Sequence, residues 1–406
     1  MSTTTTVSAR EDYKESHVSP LQGVALIFGT NIGAGILSLP YAGRNGGFLA
    51  LFLALVIAGT LTTISMLYVA EVSLRTKRPM QLSGLAEQYL GNWGRWAVFV
   101  AIMVNGTGAL IAYAAGSGEL LNNLVGIPPI AGTLIFFVIG SIIMYKGLEA
   151  TGVSELLITT AMALIIFILC GWTFIGPGIS LSNVWVFNPY FIIPIMNLAV
   201  FTFMAQYVVP ELARGMEKQH SAQISKAIIA GMVVTGFMLS LVPFAALGLL
   251  GQSVSEVVTL SWGEKLGQSA YYMANVFALL AMFTSFMAIG YTTMRNVIDI
   301  AHWPQHGKQR AIAVLITVLI PLFISLAGFG GFVSALSYAG GLAGVIMSIV
   351  PVLLLNASRI RGDREPAWTV GWSSHPIIQW TIILVYGLAG LYSVGSILGI
   401  VPAGWQ

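Results

Sequence analysis

The sequence predicts an all-α integral membrane protein with eleven transmembrane helices, and three observations predict it. Of the 406 residues, 56% are apolar and 8% are charged, whereas soluble domains carry about a quarter charged residues. Charge-free apolar runs long enough to cross a bilayer as helices, which takes ~20 residues, recur along the whole chain. Lysine and arginine fall almost entirely on alternate connections between these runs.

Nine charge-free runs supply the predicted helices, and two of the runs hold two helices each. Glycine-rich turns, at 176–178 and 328–331, divide these two long runs. Because backbone polar groups cannot stay unpaired in lipid, each run is expected to be helical. The runs are Val18–Gly43, Asn45–Ala70, Trp96–Gly118, Leu120–Tyr145, Leu156–Pro210, Ala227–Ser255, Leu266–Met294, Ala311–Ser358 and Pro366–Gln406. The segment Pro79–Leu90 is too short and polar to span, so we expect a surface helix there.

The distribution of positive charge predicts the orientation. With the N-terminus in the cytoplasm, sixteen of the eighteen basic residues lie inside and two, Arg44 and Lys265, lie outside, as the positive-inside rule requires. The sixteen are Arg10, Lys14, Arg75, Lys77, Arg78, Arg95, Lys146, Arg214, Lys218, Lys226, Arg295, Lys308, Arg310, Arg359, Arg361 and Arg364. The C-terminus is therefore expected outside a multi-pass protein of the cell (inner or plasma) membrane.

Composition also excludes several classes of protein. A net charge of +3 is too small to suggest a nucleic-acid partner, and a single cysteine, Cys170, rules out a disulfide framework. The polar first 18 residues contain no apolar region with a small-residue cleavage site, so we expect no cleaved signal peptide. No obligate protein partner is evident, and the surface is expected to face lipid.

Three polar interruptions mark the candidate site. In predicted helix 1, glycines at 29, 33 and 35 flank Thr30 and Asn31 near mid-membrane depth, and glycine there lets backbone approach a ligand. Predicted helix 6 contains Thr202, Gln206 and Pro210, and predicted helix 8 contains adjacent hydroxyls at 284 and 285. Each interruption has an ordinary alternative: small-residue packing, a proline kink and hydroxyls bonded to a carbonyl one turn earlier.

The spacing of the interruptions favours a binding site. Helices 1 and 6 are five apart, as expected for two inverted five-helix repeats with broken helices at matching places. The predicted organisation is a cytoplasmic tail (1–18), a first repeat (19–175), a second repeat (188–356), and an eleventh helix with an extracellular C-terminus (366–406). Free carbonyls on one side of a break and free amides on the other suit a cation and a carboxylate.

The chain resembles the amino acid/auxin permease group, nearest to bacterial aromatic (tryptophan/tyrosine) amino acid permeases. The segment 29–40, the Phe-Thr-Phe sequence at 201–203 before Pro210 and the eleven predicted helices carry the resemblance. It implies the amino acid–polyamine–organocation superfamily, the leucine-transporter fold, and a substrate site where broken helices 1 and 6 cross.

The resemblance implies a role for each site residue. The substrate carboxylate would meet the amides of Ala34 and Gly35, beside Thr30 and Gly33, and the ammonium would meet carbonyls of Asn31, Phe201 and Thr202. Phe203, Asn105, Phe286 and Ile289 would shape the side-chain pocket. A sodium ion would be bound by carbonyls of Gly29, Ile32 and Ala281 and by hydroxyls of Thr284 and Ser285.

The expected function is symport of a neutral, large apolar or aromatic L-amino acid with sodium, by alternating access and without any other cofactor. Acidic residues in the predicted spans lie towards the helix ends, which argues against a charged substrate because a buried charge is costly. Proton coupling is the alternative, with Glu211 as first suspect. A transporter-like amino acid sensor is a further alternative; an enzyme is not expected, because the five histidines are scattered over the tail and loops.

Overall fold

The computed structural model describes residues 18–78, 80–146, 152–402 and 404–405, and every regular element in these ranges is helical. The long helices are helix 1 in two halves, 1a (Pro20–Asn31) and 1b (Ala34–Gly43), helix 2 (Gly47–Leu74), helix 3 (Asn92–Val125), helix 4 (Pro129–Lys146), helix 5 (Gly152–Ile175), helix 6 in two halves, 6a (Ile192–Thr202) and 6b (Val209–His220), helix 7 (Ile224–Leu250), helix 8 (Gln268–Ala301), helix 9 (Gly307–Leu326), helix 10 (Phe332–Arg361) and helix 11 (Pro376–Ile397). Short helices lie at Leu82–Leu90, Leu181–Val184 and Val258–Leu266.

The protein is a multi-pass membrane protein. Within the described residues, nine helical spans are long and apolar enough to cross a bilayer, and the bent pair 1a and 1b makes a tenth if it counts as one span. Helix 5 contributes a shorter apolar stretch, Thr160–Ile175. The count of eleven crossings and the division into two repeats therefore stay predictions, and the predicted tail lies outside the described residues up to position 17.

The predicted division between helices 3 and 4 was wrong. The sequence placed the division between helices 3 and 4 at Glu119, but helix 3 continues through this residue to Val125. It ends at Gly126, which adopts the left-handed conformation (φ 73°, ψ 15°) and donates its N–H to the Asn122 carbonyl. A left-handed glycine stops a helix more effectively than one carboxylate near its end.

Small residues let helix 10 approach helix 6a. A β-carbon at Gly340 would lie 2.0 Å from the carbonyl oxygen of Asn197 and 2.8 Å from the β-carbon of Phe201. Close backbone contact of this kind is the usual means of helix association in lipid, where no hydrophobic driving force is available. Helix 10 thereby fixes the last turn of helix 6a, the turn that ends at the candidate site.

Helix 11 is joined to the same region by buried polar contacts. The side-chain amide of Asn197 donates to the Ser393 hydroxyl at 2.5 Å. Further along helix 11, the hydroxyl of Tyr386 pairs with that of Thr62 on helix 2. The opposite face of helix 11 is apolar and exposed, with Leu384 63% and Leu391 70% accessible, as expected for a helix that faces lipid.

A buried ion-pair cluster lies at the predicted cytoplasmic end of helices 2 and 10. The Glu71 side chain is fully buried, and its two oxygens accept from the Arg359 guanidinium at 2.9 and 3.0 Å. Glu71 also accepts from Arg75 at 2.8 Å and from the Val370 amide at 2.6 Å. These contacts tie helix 2, helix 10 and the following loop together.

The predicted surface helix is shorter than expected, beginning at Leu82 rather than at position 79. Its inner face is buried, and Tyr89 shares a hydrogen bond with Thr76 at 2.9 Å. Burial raises the pKa of the Tyr89 hydroxyl, so this hydroxyl stays neutral and able to donate at physiological pH.

Candidate substrate and ion site

Helix 1 is broken where the sequence places its glycines. Helix 1a ends at Asn31, Ile32 is extended, and helix 1b begins at Ala34 with its axis bent by 53°. The last carbonyls of a helix and its first amides have no partner within the helix. The break therefore presents the carbonyls of Gly29 and Asn31 on one side and the amides of Ala34 and Gly35 on the other.

The two glycines of the break are in direct contact with helices 6 and 8. A β-carbon at Gly33 would lie 2.1 Å from the Ser285 Oγ, and one at Gly35 would lie 2.4 Å from the Thr202 Cγ2. A β-carbon at either position would require the contacting side chain or its helix to shift. The glycines thus bring the start of helix 1b against the end of helix 6a and against helix 8.

Helix 6 is also broken, but not by Pro210. Helix 6a ends at Thr202, residues 203–205 are irregular, and a 3₁₀ turn over Gln206–Val208 leads into helix 6b. Pro210 lies in the first turn of helix 6b, where the missing N–H costs nothing because that amide has no helical partner. Pro210, one of the three residues named in the predicted interruption, therefore does not cause the break, and neither does the proline kink that was its ordinary alternative.

Opposite helix ends meet at the crossing of the two breaks. The N-terminus of helix 1b carries a partial positive charge, and the C-terminus of helix 6a carries a partial negative charge. Their contact through Gly35 and Thr202 places both partial charges side by side without a formal charge on either residue. A zwitterion such as the backbone of an amino acid matches this arrangement.

Some of the residues predicted to bind sodium lie close together in the structure. On helix 8, the Thr284 hydroxyl donates to the Ala281 carbonyl at 3.1 Å. Ser285 is buried against Gly33 of helix 1 and is also a side-chain partner of Tyr113. Helices 1 and 8 thus meet at the predicted ligands, while the binding of sodium itself stays a prediction.

A narrow cavity of about 10 Å³ lies between helices 3, 8 and 10 and the break in helix 6. Two of the predicted pocket residues, Asn105 and Ile289, line it. The other lining residues are Ala101, Ile102, Met204, Tyr207, Thr292, Thr293 and Met347. A cavity of this size holds about one water molecule, so an amino acid side chain enters only when neighbouring side chains move.

Both aromatic residues predicted to shape the side-chain pocket, Phe203 and Phe286, pack against other helices in this structure. The ring of Phe203 lies between helices 2 and 7, where a β-carbon at Gly59 would be 2.9 Å away and one at Gly236 would be 3.8 Å away. Phe286 packs against Phe137 at 5.0 Å between ring centroids, beside Gly140 of helix 4. Spacing along a helix does not fix which neighbour a side chain faces, and their roles in substrate binding stay predictions.

Three of the remaining predicted residues already make contacts of their own in this structure. Thr30 donates to the Leu26 carbonyl at 2.7 Å, as in the ordinary alternative for a hydroxyl in a helix. The Asn31 side-chain nitrogen contacts the Met232 sulfur on helix 7 at 3.5 Å. The Phe201 carbonyl accepts from the Met204 amide at 3.2 Å, so it is already engaged.

Sequence reasoning missed two tyrosines beside the site. Tyr113 on helix 3 is buried against Ser285, and Tyr207 lines the cavity directly after the break in helix 6. Tyr113 lies within a stretch of small and aliphatic residues, 109–115, and this could have indicated a polar site nearby. A buried tyrosine hydroxyl usually has a polar partner.

The fold and the doubly broken site define a helical membrane transport protein. The chain belongs to the tryptophan/tyrosine permease family, whose model matches residues 16–392. Tyrosine-specific transport system 1 of Haemophilus influenzae is 26% identical over 382 residues, which cover 89% of this chain and 93% of the relative. The tryptophan-specific transport protein of the same organism is 25% identical over 84% of this chain and 88% of its own length. Because its relatives are permeases and transport systems, the protein is a transporter and not an enzyme.

A solved structure supports the fold independently. The chain is similar to Mhp1, a nucleobase–cation-symport-1 family transporter in a closed conformation with bromovinylhydantoin bound. The TM-score is 0.62 with 14% identity, covering 95% of this chain and 93% of Mhp1. At this identity the likeness concerns the arrangement of helices.

Proposed function

We propose that this protein is a secondary transporter that moves a neutral aromatic L-amino acid across the membrane together with sodium, by alternating access. The observation that carries the proposal is the contact between Gly35 and Thr202. It sets the amide end of helix 1b beside the carbonyl end of helix 6a. Those two ends suit the carboxylate and the ammonium of one small zwitterion.

The aromatic side chain is supported by the family and by the cavity. Relatives include tyrosine- and tryptophan-specific transport proteins, and the cavity next to the break in helix 6 is lined mainly by apolar side chains. Met204 and Met347 contribute to its wall, and methionine adapts its shape easily. The pocket is therefore suited to open around a large apolar ring.

Sodium as the coupling ion is supported by the contact between helix 1 and helix 8. Hydroxyl and carbonyl oxygens at 281, 284 and 285 are hard neutral ligands of the kind that group IA and IIA cations prefer. An ion there would join the broken helix 1 to helix 8 and so favour one arrangement of the two. The predicted orientation, with the N-terminus inside and the C-terminus outside, follows from the basic residues.

Uptake by purified protein in proteoliposomes tests the proposal. We expect radiolabelled tryptophan or tyrosine to accumulate with an inward sodium gradient, and not with potassium at equal membrane potential. Accumulation driven by a pH gradient and indifferent to sodium would replace the coupling ion with a proton. Binding without any uptake would favour a sensor that uses the transporter fold.

A further inference from the structure

The side-chain oxygen of Asn105 on helix 3 accepts no hydrogen bond from the described residues. Asn105 is 7% exposed, and its Oδ1 has no hydrogen-bond partner among the described residues. Buried polar atoms are normally paired, and an unpaired one calls for an explanation. Helix 3 carries this amide near the middle of its length, within the membrane.

The surroundings of Asn105 are otherwise satisfied or apolar. The hydroxyls of Thr292 and Thr293, which line the same cavity, donate to backbone carbonyls of helix 8 at 2.9 and 2.7 Å. The remaining wall includes Ile102 and Ile289. The cavity thus combines a largely apolar wall with one asparagine whose buried oxygen lacks a partner among the described residues, and small-molecule pockets usually pair an apolar lining with a few polar groups.

The cavity also adjoins the place where the substrate backbone would be held. Met204 and Tyr207, which belong to or directly follow the break in helix 6, line it. An amino acid whose carboxylate and ammonium lie at the crossing of the breaks can direct its side chain past Met204 towards Asn105. The methionines at 204 and 347 are the flexible side chains that must move to admit a ring.

We propose that Asn105 is a specificity-determining residue whose Oδ1 accepts a hydrogen bond from an N–H or O–H group on the substrate's aromatic ring. The proposal rests on the proposed transport of aromatic amino acids and adds a rule to it. Rings that carry a donor, an indole or a phenol, are preferred over a ring of similar size without one. A ring with no donor would leave the oxygen buried and unpaired, which weakens binding roughly 5- to 150-fold.

A matched pair of substrates isolates this hydrogen bond. Tyrosine and 4-fluorophenylalanine have rings of nearly equal size, but only tyrosine can donate from the para position. In proteoliposomes, we expect the wild-type protein to prefer tyrosine by about 10-fold in competition with a labelled aromatic amino acid. Asn105→Leu should bring the two competitors to within about 2-fold of each other, because the unpaired acceptor is removed.

Asn275→Leu provides the control. Asn275 is also a buried asparagine whose side chain has no partner among the described residues, but it lies on helix 8 outside the cavity lining. Its replacement should leave the tyrosine preference unchanged. An unchanged preference in Asn105→Leu, or an equal loss in both variants, would overturn the role of Asn105.

The outcome also separates this inference from the proposed function. Wild-type protein that takes up no aromatic amino acid contradicts the proposed function itself. Wild-type protein that takes up tyrosine and 4-fluorophenylalanine equally well contradicts the inference alone. This second comparison needs no variant, so it can overturn the inference even if Asn105→Leu fails to fold.

Discussion

Gly35 and Thr202 hold the two broken helices in contact, since a β-carbon at position 35 would lie 2.4 Å from the Thr202 Cγ2. The contact needs both a residue without a side chain on helix 1b and a short one at the end of helix 6a. It sets the separation between the amide end and the carbonyl end that we assign to the substrate backbone.

Enlarging position 35 should therefore impair substrate binding. We expect Gly35→Ala to lower the free energy of unfolding by ~1–3 kcal/mol, the usual cost of overpacking, and to reduce aromatic amino acid uptake by about 10-fold or more. Gly35→Leu should abolish binding. Scintillation-proximity binding and thermal unfolding in detergent would measure both effects.

A second-site change tests whether the contact itself is responsible. Thr202→Ser removes the Cγ2, after which the nearest Thr202 atom is 3.1 Å from the added β-carbon. Thr202→Ser should therefore partly restore the stability of Gly35→Ala. Gly387→Ala is the neutral control, because a β-carbon at this helix 11 position would meet none of the described residues within 4 Å. Binding that persists in Gly35→Leu would place the site elsewhere.

Loss of the Thr284 hydroxyl should weaken the response to sodium. Linked binding sites change each other's affinity by the same factor, typically 5- to 150-fold, so sodium and substrate should each tighten the other. We expect Thr284→Ala to reduce this mutual effect by about 10-fold, and lithium to replace sodium poorly. Isothermal titration of substrate at several sodium concentrations measures the factor.

The control for Thr284 is Thr381→Ala on helix 11. Its hydroxyl also donates to a backbone carbonyl earlier in its own helix, that of Ile377 at 2.9 Å. Thr381 is exposed and belongs to helix 11, which contributes no predicted sodium ligand. Sodium dependence should be unaffected there. Substrate affinity that follows pH and ignores sodium in the wild-type protein would contradict the sodium site and direct attention to Glu211.

Breaking the buried ion pair should destabilise the fold. Glu71→Gln removes a fully buried charge that accepts two bonds from Arg359 and leaves the arginines without their counter-ion. Removing one partner of a buried pair costs ~3–5 kcal/mol, and we expect the lower end because Arg359 is about a third exposed. A lowered midpoint of thermal unfolding would show the effect.

Glu87→Gln is the matched control for Glu71→Gln. Glu87 pairs with Arg95 at 3.3 Å, but its side chain is 47% exposed, and exposed pairs contribute ~0–1 kcal/mol. Its unfolding midpoint should barely change. Equal unfolding midpoints in the two variants would mean that the buried Glu71 ion pair stabilises the fold no more than an exposed one.

The orientation can be tested with single cysteines, because the one native cysteine, Cys170, is 2% exposed. A cysteine introduced at Ile400, which is 75% exposed after helix 11, should react with an impermeant thiol reagent in intact cells. A cysteine at Lys77 should react only after permeabilisation. The reverse pattern would contradict an outside C-terminus.

The hydrophobic runs predicted most of the helices because the requirement for about 20 apolar residues is local and strong. The glycines at 29, 33 and 35 predicted the break in helix 1 for a similar reason, since glycine weakens a helix wherever it lies. The boundary at Glu119 failed because helix ends depend on one capping residue, which hydropathy does not register.

The sequence by itself determined the membrane class, the family resemblance and the positions of the two breaks, all of which follow from composition and local chain chemistry. Only the tertiary structure decided which side chains meet: Gly33 with Ser285, Gly35 with Thr202, and Glu71 with Arg359. It also placed Phe203 between helices 2 and 7 and left the oxygen of Asn105, a residue that lines the cavity, without a partner among the described residues. Such pairings depend on the rotation and distance of helices remote in sequence, which the spacing within one helix does not specify.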